Sequence, residues 1–118
     1  MAPTIVEYQF GLVDALLSAG DFGAAETACQ KIIDTDADSA KAFNQLGKIF
    51  QGQDRQDESV AKFERAAALA PDDPGMHTDL GAALRARGQI TEAIGRYEHA
   101  LSIDPEFGLA YYSLGNAL

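Results

Sequence analysis

The chain of 118 residues is 47% apolar, and nine Lys and Arg against eighteen Asp and Glu give it a formal net charge of −9. This length suits one compact domain, which we assign to residues 1–118. The acidic charge repels phosphate backbones and anionic lipid surfaces, so we expect neither nucleic acid nor a membrane as a partner.

The start of the chain and its single cysteine favour a cytoplasmic location. No stretch approaches the roughly eighteen apolar residues that span a bilayer, and "MAPTIVEYQF" lacks the basic segment of a signal peptide. Cys29 has no second cysteine with which to form an intramolecular disulfide. We therefore expect a cytoplasmic protein with a reduced, buried thiol.

Apolar residues recur at spacings of three and four from Leu12 and Leu16 onward, and almost no segment alternates as a half-buried strand would. Thr4 with Glu7 fits a capping box at the start of the first helix, and Asp73 before Pro74 fits a later helix start. Turn signals lie at residues 18–23, 35–39, 52–57, 71–75, 87–89 and 104–108. The pattern predicts an all-α fold of six short helices followed by a seventh.

The segments "LGKIF", "LGAAL" and "LGNAL" recur along the chain, and their leucines, Leu46, Leu80 and Leu114, are 34 residues apart. A fixed period of this length indicates a repeat architecture. We divide the chain into repeats at 6–39, 40–73 and 74–107, followed by a half-repeat at 108–118. The half-repeat has a first helix without its second, and we expect either a longer array that has been truncated or an uncovered side that is a seam for self-association.

These columns resemble the tetratricopeptide repeat family, whose pattern combines aromatic, leucine, small and proline positions. The second repeat supplies Phe43, Leu46, Gly47, Phe50, Ser59, Phe63, Ala66 and Pro71; the third supplies His77, Leu80, Gly81, Leu84, Ala93, Tyr97, Ala100 and Pro105. The first repeat departs from the pattern at Gln9, Val13, Ile32 and Ala37. The resemblance covers nearly the whole chain and implies a right-handed superhelical array of antiparallel helix hairpins.

Small residues in two of the columns have a physical reason. Two antiparallel helices approach closely only where something small lies at the crossing, and Gly47 with Ser59, or Gly81 with Ala93, meets that need. Phe63 and its counterparts in the same column then fill the remaining space. Because each repeat packs on the next, we expect one continuous core along the stack.

The chain offers no motif for catalysis, so we expect no enzyme activity from it and no cofactor. Asp34, Asp36 and Asp38 alternate as in a calcium loop, but Ser39 replaces the turn glycine and Gln45 the bidentate glutamate. We interpret this stretch as an acidic turn that helps to cap the next helix. His77, His99 and Cys29 lack metal-ligand spacing, and we expect no metal site.

The resemblance indicates which surface is functional, because first helices line the concave side of such an array. The implied groove positions are Glu7, Phe10, Asp14, Leu17, Lys41, Asn44, Lys48, Gln51, Thr78, Ala82, Arg85, Leu109, Tyr112 and Asn116. We expect a protein or peptide segment, extended or helical, with acidic groups near Lys41, Lys48 and Arg85 and apolar contacts to Phe10 and Tyr112.

Two subtypes of the family are not supported by the residues at their signature positions. Chaperone-binding members carry Lys, Asn, Asn, Lys and Arg where this chain has Phe10, Asp14, Gln45, Gly75 and Asp79. Glycosyltransferase-linked members carry an asparagine ladder where this chain has Gly11, Gln45, Asp79 and Ser113. Two alternatives to an independent binding module remain: a substrate-recruiting segment of a larger enzyme such as a glycosyltransferase, and a self-associating structural scaffold.

Overall fold

A computed structural model describes residues 4–118, and across that range seven α-helices are the regular elements, without a strand. The helices are α1 (Ile5–Ser18), α2 (Phe22–Thr35), α3 (Ala40–Gly52), α4 (Gln56–Leu69), α5 (Pro74–Ala86), α6 (Ile90–Ile103) and α7 (Gly108–Ala117). The prediction of an all-α fold is confirmed. Helices α3, α5 and α7 begin at Ala40, Pro74 and Gly108, which reproduces the period of the sequence pattern.

The helix starts follow from local capping chemistry. The Thr4 hydroxyl accepts a hydrogen bond from the Glu7 amide at 3.1 Å, and the Glu7 carboxylate accepts one from the Thr4 amide at 3.4 Å. Asp73 accepts from the Gly75 amide at 2.9 Å with Pro74 in the first turn of α5. Both expected caps are therefore present. The acidic turn before α3 is different, because Ser39 rather than an aspartate caps the helix.

Consecutive helices pack against each other along the whole chain and form a superhelical array of helix hairpins. Beyond these neighbours, α1 contacts α3, α3 contacts α5 and α5 contacts α7. The second helices α2, α4 and α6 make no such contact with one another within residues 4–118. The first helices are thus closer together than the second helices, which places them on the inner side of the array.

The buried apolar side chains form two clusters rather than the single continuous core that we expected. One cluster joins α1, α2 and α3, and the other joins α4, α5 and α6. At the α3–α4 crossing between them, the backbone of Gly47 meets Ser59, whose hydroxyl donates to the Gly47 carbonyl at 2.9 Å. The Phe63 ring of α4 also packs against the Gly47 backbone at this crossing. The small pair predicted at this crossing is confirmed.

Candidate functional site

The predicted groove positions lie on α1, α3, α5 and α7, the four helices that line the inner side of the array. Most of these side chains are exposed and one, Leu17, is half-buried. The exposed ones are Glu7, Asp14, Lys41, Lys48, Gln51, Ala82, Arg85, Leu109, Tyr112 and Asn116. These positions offer surface to a ligand, and their role in binding stays a prediction.

Three predicted groove residues are buried, which corrects the expectation that they are exposed. The Phe10 ring is covered by Lys41, whose Nζ lies 4.5 Å from the ring centroid. The Asn44 side-chain amide is held by Asp79, and the Thr78 hydroxyl donates to the Pro74 carbonyl at 2.9 Å. Each of these side chains thus interacts with another residue of the protein. Phe10 does not provide the exposed apolar contact that the sequence suggested.

Two side-chain hydrogen bonds connect neighbouring first helices across the floor of the groove. Gln45 on α3 donates from its amide nitrogen to Asp14 on α1, and Asn44 on α3 donates to Asp79 on α5 at 3.0 Å. Gln45 and Asp79 were not among the predicted groove residues. The pairs are separated by 31 and 35 residues along the chain, so no single repeat of the sequence reveals them.

The cations of the groove centre are free of ionic partners within residues 4–118. The ion pairs there are those of Arg55 with Glu26 and Glu58, of Arg65 with Asp38, and of Arg87 with Asp57. Lys41, Lys48 and Arg85 have no carboxylate within 4.0 Å. An anionic ligand group could pair with these cations without displacing an internal carboxylate.

The exposed Arg85 influences one buried group of the α5–α6 hairpin. Burial raises the pKa of Tyr97, and the positive charge of Arg85 partly opposes that rise. At the far end of the groove, Leu109 and Tyr112 on α7 are 51% and 70% exposed, so the inner helices also present apolar surface.

The other chemical candidates have structural roles. The His77 Nε2 lies 2.8 Å from the Pro71 carbonyl oxygen, and the His77 and His99 rings pack edge to face with centroids 4.3 Å apart. The Cys29 thiol is buried and donates to the Ala42 carbonyl at 3.0 Å. Asp36 accepts a hydrogen bond from the Asp38 amide. Across residues 4–118, no group of three or more His, Cys, Asp or Glu side chains is arranged to hold a metal ion.

None of the described helices combines the length and apolar character that crossing a bilayer requires.

Repeated helix hairpins with a shared inner face define an α-helical repeat protein. Comparison with family models makes this assignment specific: a tetratricopeptide repeat model matches residues 10–74, and a TPR repeat model matches residues 81–118. The chain belongs to the tetratricopeptide repeat family, as its sequence columns predicted.

Known proteins similar to the chain have varied functions. The peroxisomal targeting signal receptor of Candida albicans is 34% identical over 70 residues, which are 59% of this chain and 12% of that protein. MamA, known from a crystal structure, has 30% sequence identity to this chain and a TM-score of 0.83, and the match covers 98% of this chain and 67% of the MamA chain. A Thermobaculum terrenum O-GlcNAc transferase mutant is 29% identical, with a TM-score of 0.79 over 99% of this chain and 23% of that one.

The chain spans between 12% and 27% of the length of the first three curated relatives that it matches.

Proposed function

We propose that this chain is a noncatalytic protein-interaction module whose concave groove binds a peptide or partner segment. The observation that carries the proposal is the pair of exposed cations Lys48 and Arg85, which lie on the inner helices without an ionic partner among residues 4–118. An otherwise acidic protein keeps these charges exposed on its inner helices. Acidic groups of the ligand pair with Lys48 and Arg85, and Tyr112 receives an apolar side chain.

The polar floor supports a ligand that adopts an extended or helical form along the groove axis. Asn44 and Gln45 use their amide nitrogens to hold Asp79 and Asp14, so the inner helices are tied together across the repeats. A floor that is already hydrogen-bonded loses little conformational freedom when a ligand arrives, and such preorganisation favours binding. The receptor name of the Candida albicans relative agrees with a recognition role.

The proposal is tested with peptides selected from a random display library on the wild-type chain. We expect Lys48→Glu and Arg85→Glu to weaken the selected peptides about tenfold each, because each change removes an attraction and adds a repulsion. Arg96→Glu is the matched control, since this exposed residue lies on the second helix α6 and the substitution alters net charge equally. Equal affinity for Lys48→Glu, Arg85→Glu and the wild type would remove the groove assignment.

The proposed partner class follows from the acidic composition, because with a formal charge of −9 the protein repels nucleic acid, so the proposed partner is a protein. The proposed location is the cytoplasm, since the single cysteine, Cys29, cannot form an intramolecular disulfide. Heparin and duplex DNA serve as probes in a gel-shift assay at low salt. Retardation of DNA by the wild-type chain would contradict the exclusion of nucleic acid.

Similarity to glycosyltransferases favours a second candidate, in which the chain recruits substrates for a larger enzyme. Besides the Thermobaculum terrenum O-GlcNAc transferase mutant, the O-mannosyl-transferase TMTC1 of Mus musculus is similar, with 24% identity over 98% of this chain. Reading the gene on both sides of the chain decides between the candidates, because a transferase domain in the same open reading frame supports recruitment. An open reading frame confined to this chain would exclude it.

The scaffold alternative depends on the C-terminal half-repeat, where Tyr111 is 56% exposed and Leu118 83% exposed. These side chains would be buried if the half-repeat paired with the half-repeat of a second copy. Sedimentation velocity across a wide concentration range tests this alternative, with Tyr111→Glu as the variant that disrupts the apolar surface. A monomer at every concentration would rule out the scaffold.

A further inference from the structure

The first repeat carries an apolar groove on the side of α1 and α2 that faces away from α3. It has a volume of about 350 Å³ and is lined by Gln9, Leu12, Leu16, Ala24, Thr27, Ala28 and Lys31. Leu12 at its centre is 40% exposed. This groove is separate from the concave surface, and none of the residues predicted for the concave groove lines it.

Inside the array, the residues that correspond to Leu12 are covered. Leu46 and Leu80 stand one and two periods further along the chain and are 4% and 1% exposed. Leu46 is buried in one cluster with Cys29 and Ile32 of α2, and Leu80 is buried in another with Phe63 of α4. The cover in both cases is the second helix of the preceding repeat. The groove around Leu12 therefore corresponds to a surface that is covered by a helix elsewhere in the array.

A charged residue at the edge of this groove indicates how a helix would be oriented on it. Arg65 on α4 pairs with Asp38 at 3.7 Å, and Asp38 lies in the turn that follows the covering helix α2. Lys31 occupies the position one period before Arg65, is exposed, and has no carboxylate within 4.0 Å among residues 4–118. A carboxylate at the end of a docked helix would reach Lys31 as Asp38 reaches Arg65. The negative end of the helix dipole adds to the same attraction.

We infer that the groove between α1 and α2 binds an amphipathic helix of another protein, with its carboxyl end at Lys31. The buried face of that helix carries apolar residues at spacings of three and four, as Val60, Phe63 and Ala67 do in α4, and an acidic residue follows its last turn. The second helices of another copy of this chain do not offer such a face, because none of their corresponding apolar residues is exposed. Cys29, Val60, Phe63, Ala67 and Tyr97 are buried, and Ile33, Ile94 and Leu101 are half-buried.

The chain itself provides a defined probe, an amidated and fluorescently labelled peptide of residues 56–72. It contains the α4 face and ends at Asp72, one period after Asp38. Fluorescence anisotropy should show saturable binding to the wild-type chain. Leu12→Glu should weaken it at least about tenfold, because a charge would replace an apolar contact. Ile90→Glu is the matched control, since Ile90 at the start of α6 is 38% exposed, close to the 40% of Leu12, and belongs to neither groove.

Charge reversal tests the orientation and does not depend on the Leu12 variant. Lys31→Glu should weaken the peptide about threefold, and the peptide with Asp72→Lys should restore affinity to that variant alone. Circular dichroism melting of each variant establishes that the chain is folded. The inference would be overturned if the peptide showed no saturable binding, or if the wild type and Leu12→Glu bound it equally. A dimer of the chain that Leu12→Glu abolishes would also overturn it, because a second copy would then occupy the groove.

Discussion

The backbone of Gly81 lies so close to the Tyr97 ring that a Cβ atom on Gly81 would be 2.4 Å from Tyr97 Cε1. Gly47 has the same relationship to Phe63, where the corresponding distance is 2.8 Å. Gly115 occupies the same column one repeat later, yet a Cβ there would meet nothing within 4 Å. The period that these glycines share therefore has different packing consequences inside the array and at α7.

The first prediction compares two glycines of this column. Gly81→Ala should lower the free energy of unfolding by about 1 to 3 kcal/mol, because the added methyl group overlaps an immobile buried ring. Gly115→Ala should leave it unchanged or raise it by up to about 1 kcal/mol, since alanine is the better helix former and space is available. Urea unfolding followed by circular dichroism measures both. Equal destabilisation by the two substitutions would contradict the packing at this crossing.

The second prediction concerns the hydrogen bond between Asn44 and Asp79. Asp79→Ala should cost about 1 to 3 kcal/mol, because it leaves the buried Asn44 amide without a partner. A double-mutant cycle with Asn44→Ala should give a coupling of about 1 kcal/mol. The exposed pair Gln56 and Asp54 provides the comparison, and we expect no measurable coupling there. Additive effects of Asn44→Ala and Asp79→Ala would show that the bond does not tie the inner helices together.

The third prediction follows from the burial of Cys29, which raises the pKa of its thiol to about 11. Native protein at pH 8 should react slowly with a thiol reagent and quickly in urea, because the reactive thiolate forms only after exposure. The raised pKa means that the fold favours the protonated thiol. Its contribution to stability is therefore complete below the unfolded pKa, near 8.5 to 9, and is lost as the pH rises towards 11.

A matched variant isolates this contribution from other groups that titrate at alkaline pH. The free energy of unfolding of the wild type should fall relative to that of Cys29→Ala by about 2 to 3 kcal/mol between pH 8 and 11. The difference removes the effects of lysine and tyrosine, which both proteins share. Parallel pH profiles for the wild type and Cys29→Ala would contradict a buried, hydrogen-bonded thiol.

The sequence predicted the features that each repeat specifies by itself. The column of Leu46, Leu80 and Leu114 gave the period and the family, and local capping residues such as Thr4 and Asp73 gave helix starts that the structure confirms. These features depend on neighbours a few residues apart or on packing that every repeat reproduces. Local chemistry is therefore sufficient to predict them.

Features that depend on how neighbouring repeats meet were not predictable in the same way. The stacking of Lys41 on Phe10 and the bond between Gln45 and Asp14 each join side chains of different repeats. Whether such atoms come within contact distance depends on the curvature of the array, and the repeat pattern in the sequence does not specify that curvature. The burial of Phe10 was missed for this reason, and so was the role of Gln45 in the groove floor.

The last prediction concerns a turn that recurs in all three repeats. Gly20 and Gly88 connect the two helices of their hairpins with φ angles of 77° and 86°, and the equivalent residue Asp54 has a φ of 58°. A left-handed conformation costs an L-residue about 1 to 2 kcal/mol, whereas glycine adopts it freely. Asp54→Gly should therefore raise the free energy of unfolding by up to about 1 kcal/mol, although glycine also loses more chain entropy on folding.

The reverse substitution, Gly88→Ala, should lower the free energy of unfolding by about 1 kcal/mol, because alanine does not adopt the left-handed conformation freely. Asp57→Gly is the control for replacing an exposed aspartate by glycine, since Asp57 lies in the first turn of α4. Asp57→Gly should destabilise, because glycine is a poor helix former and the ion pair with Arg87 is lost. Opposite signs for Asp54→Gly and Asp57→Gly in urea unfolding are the expected result. Destabilisation by both would mean that the Asp54 side chain contributes more to the turn than its backbone conformation costs.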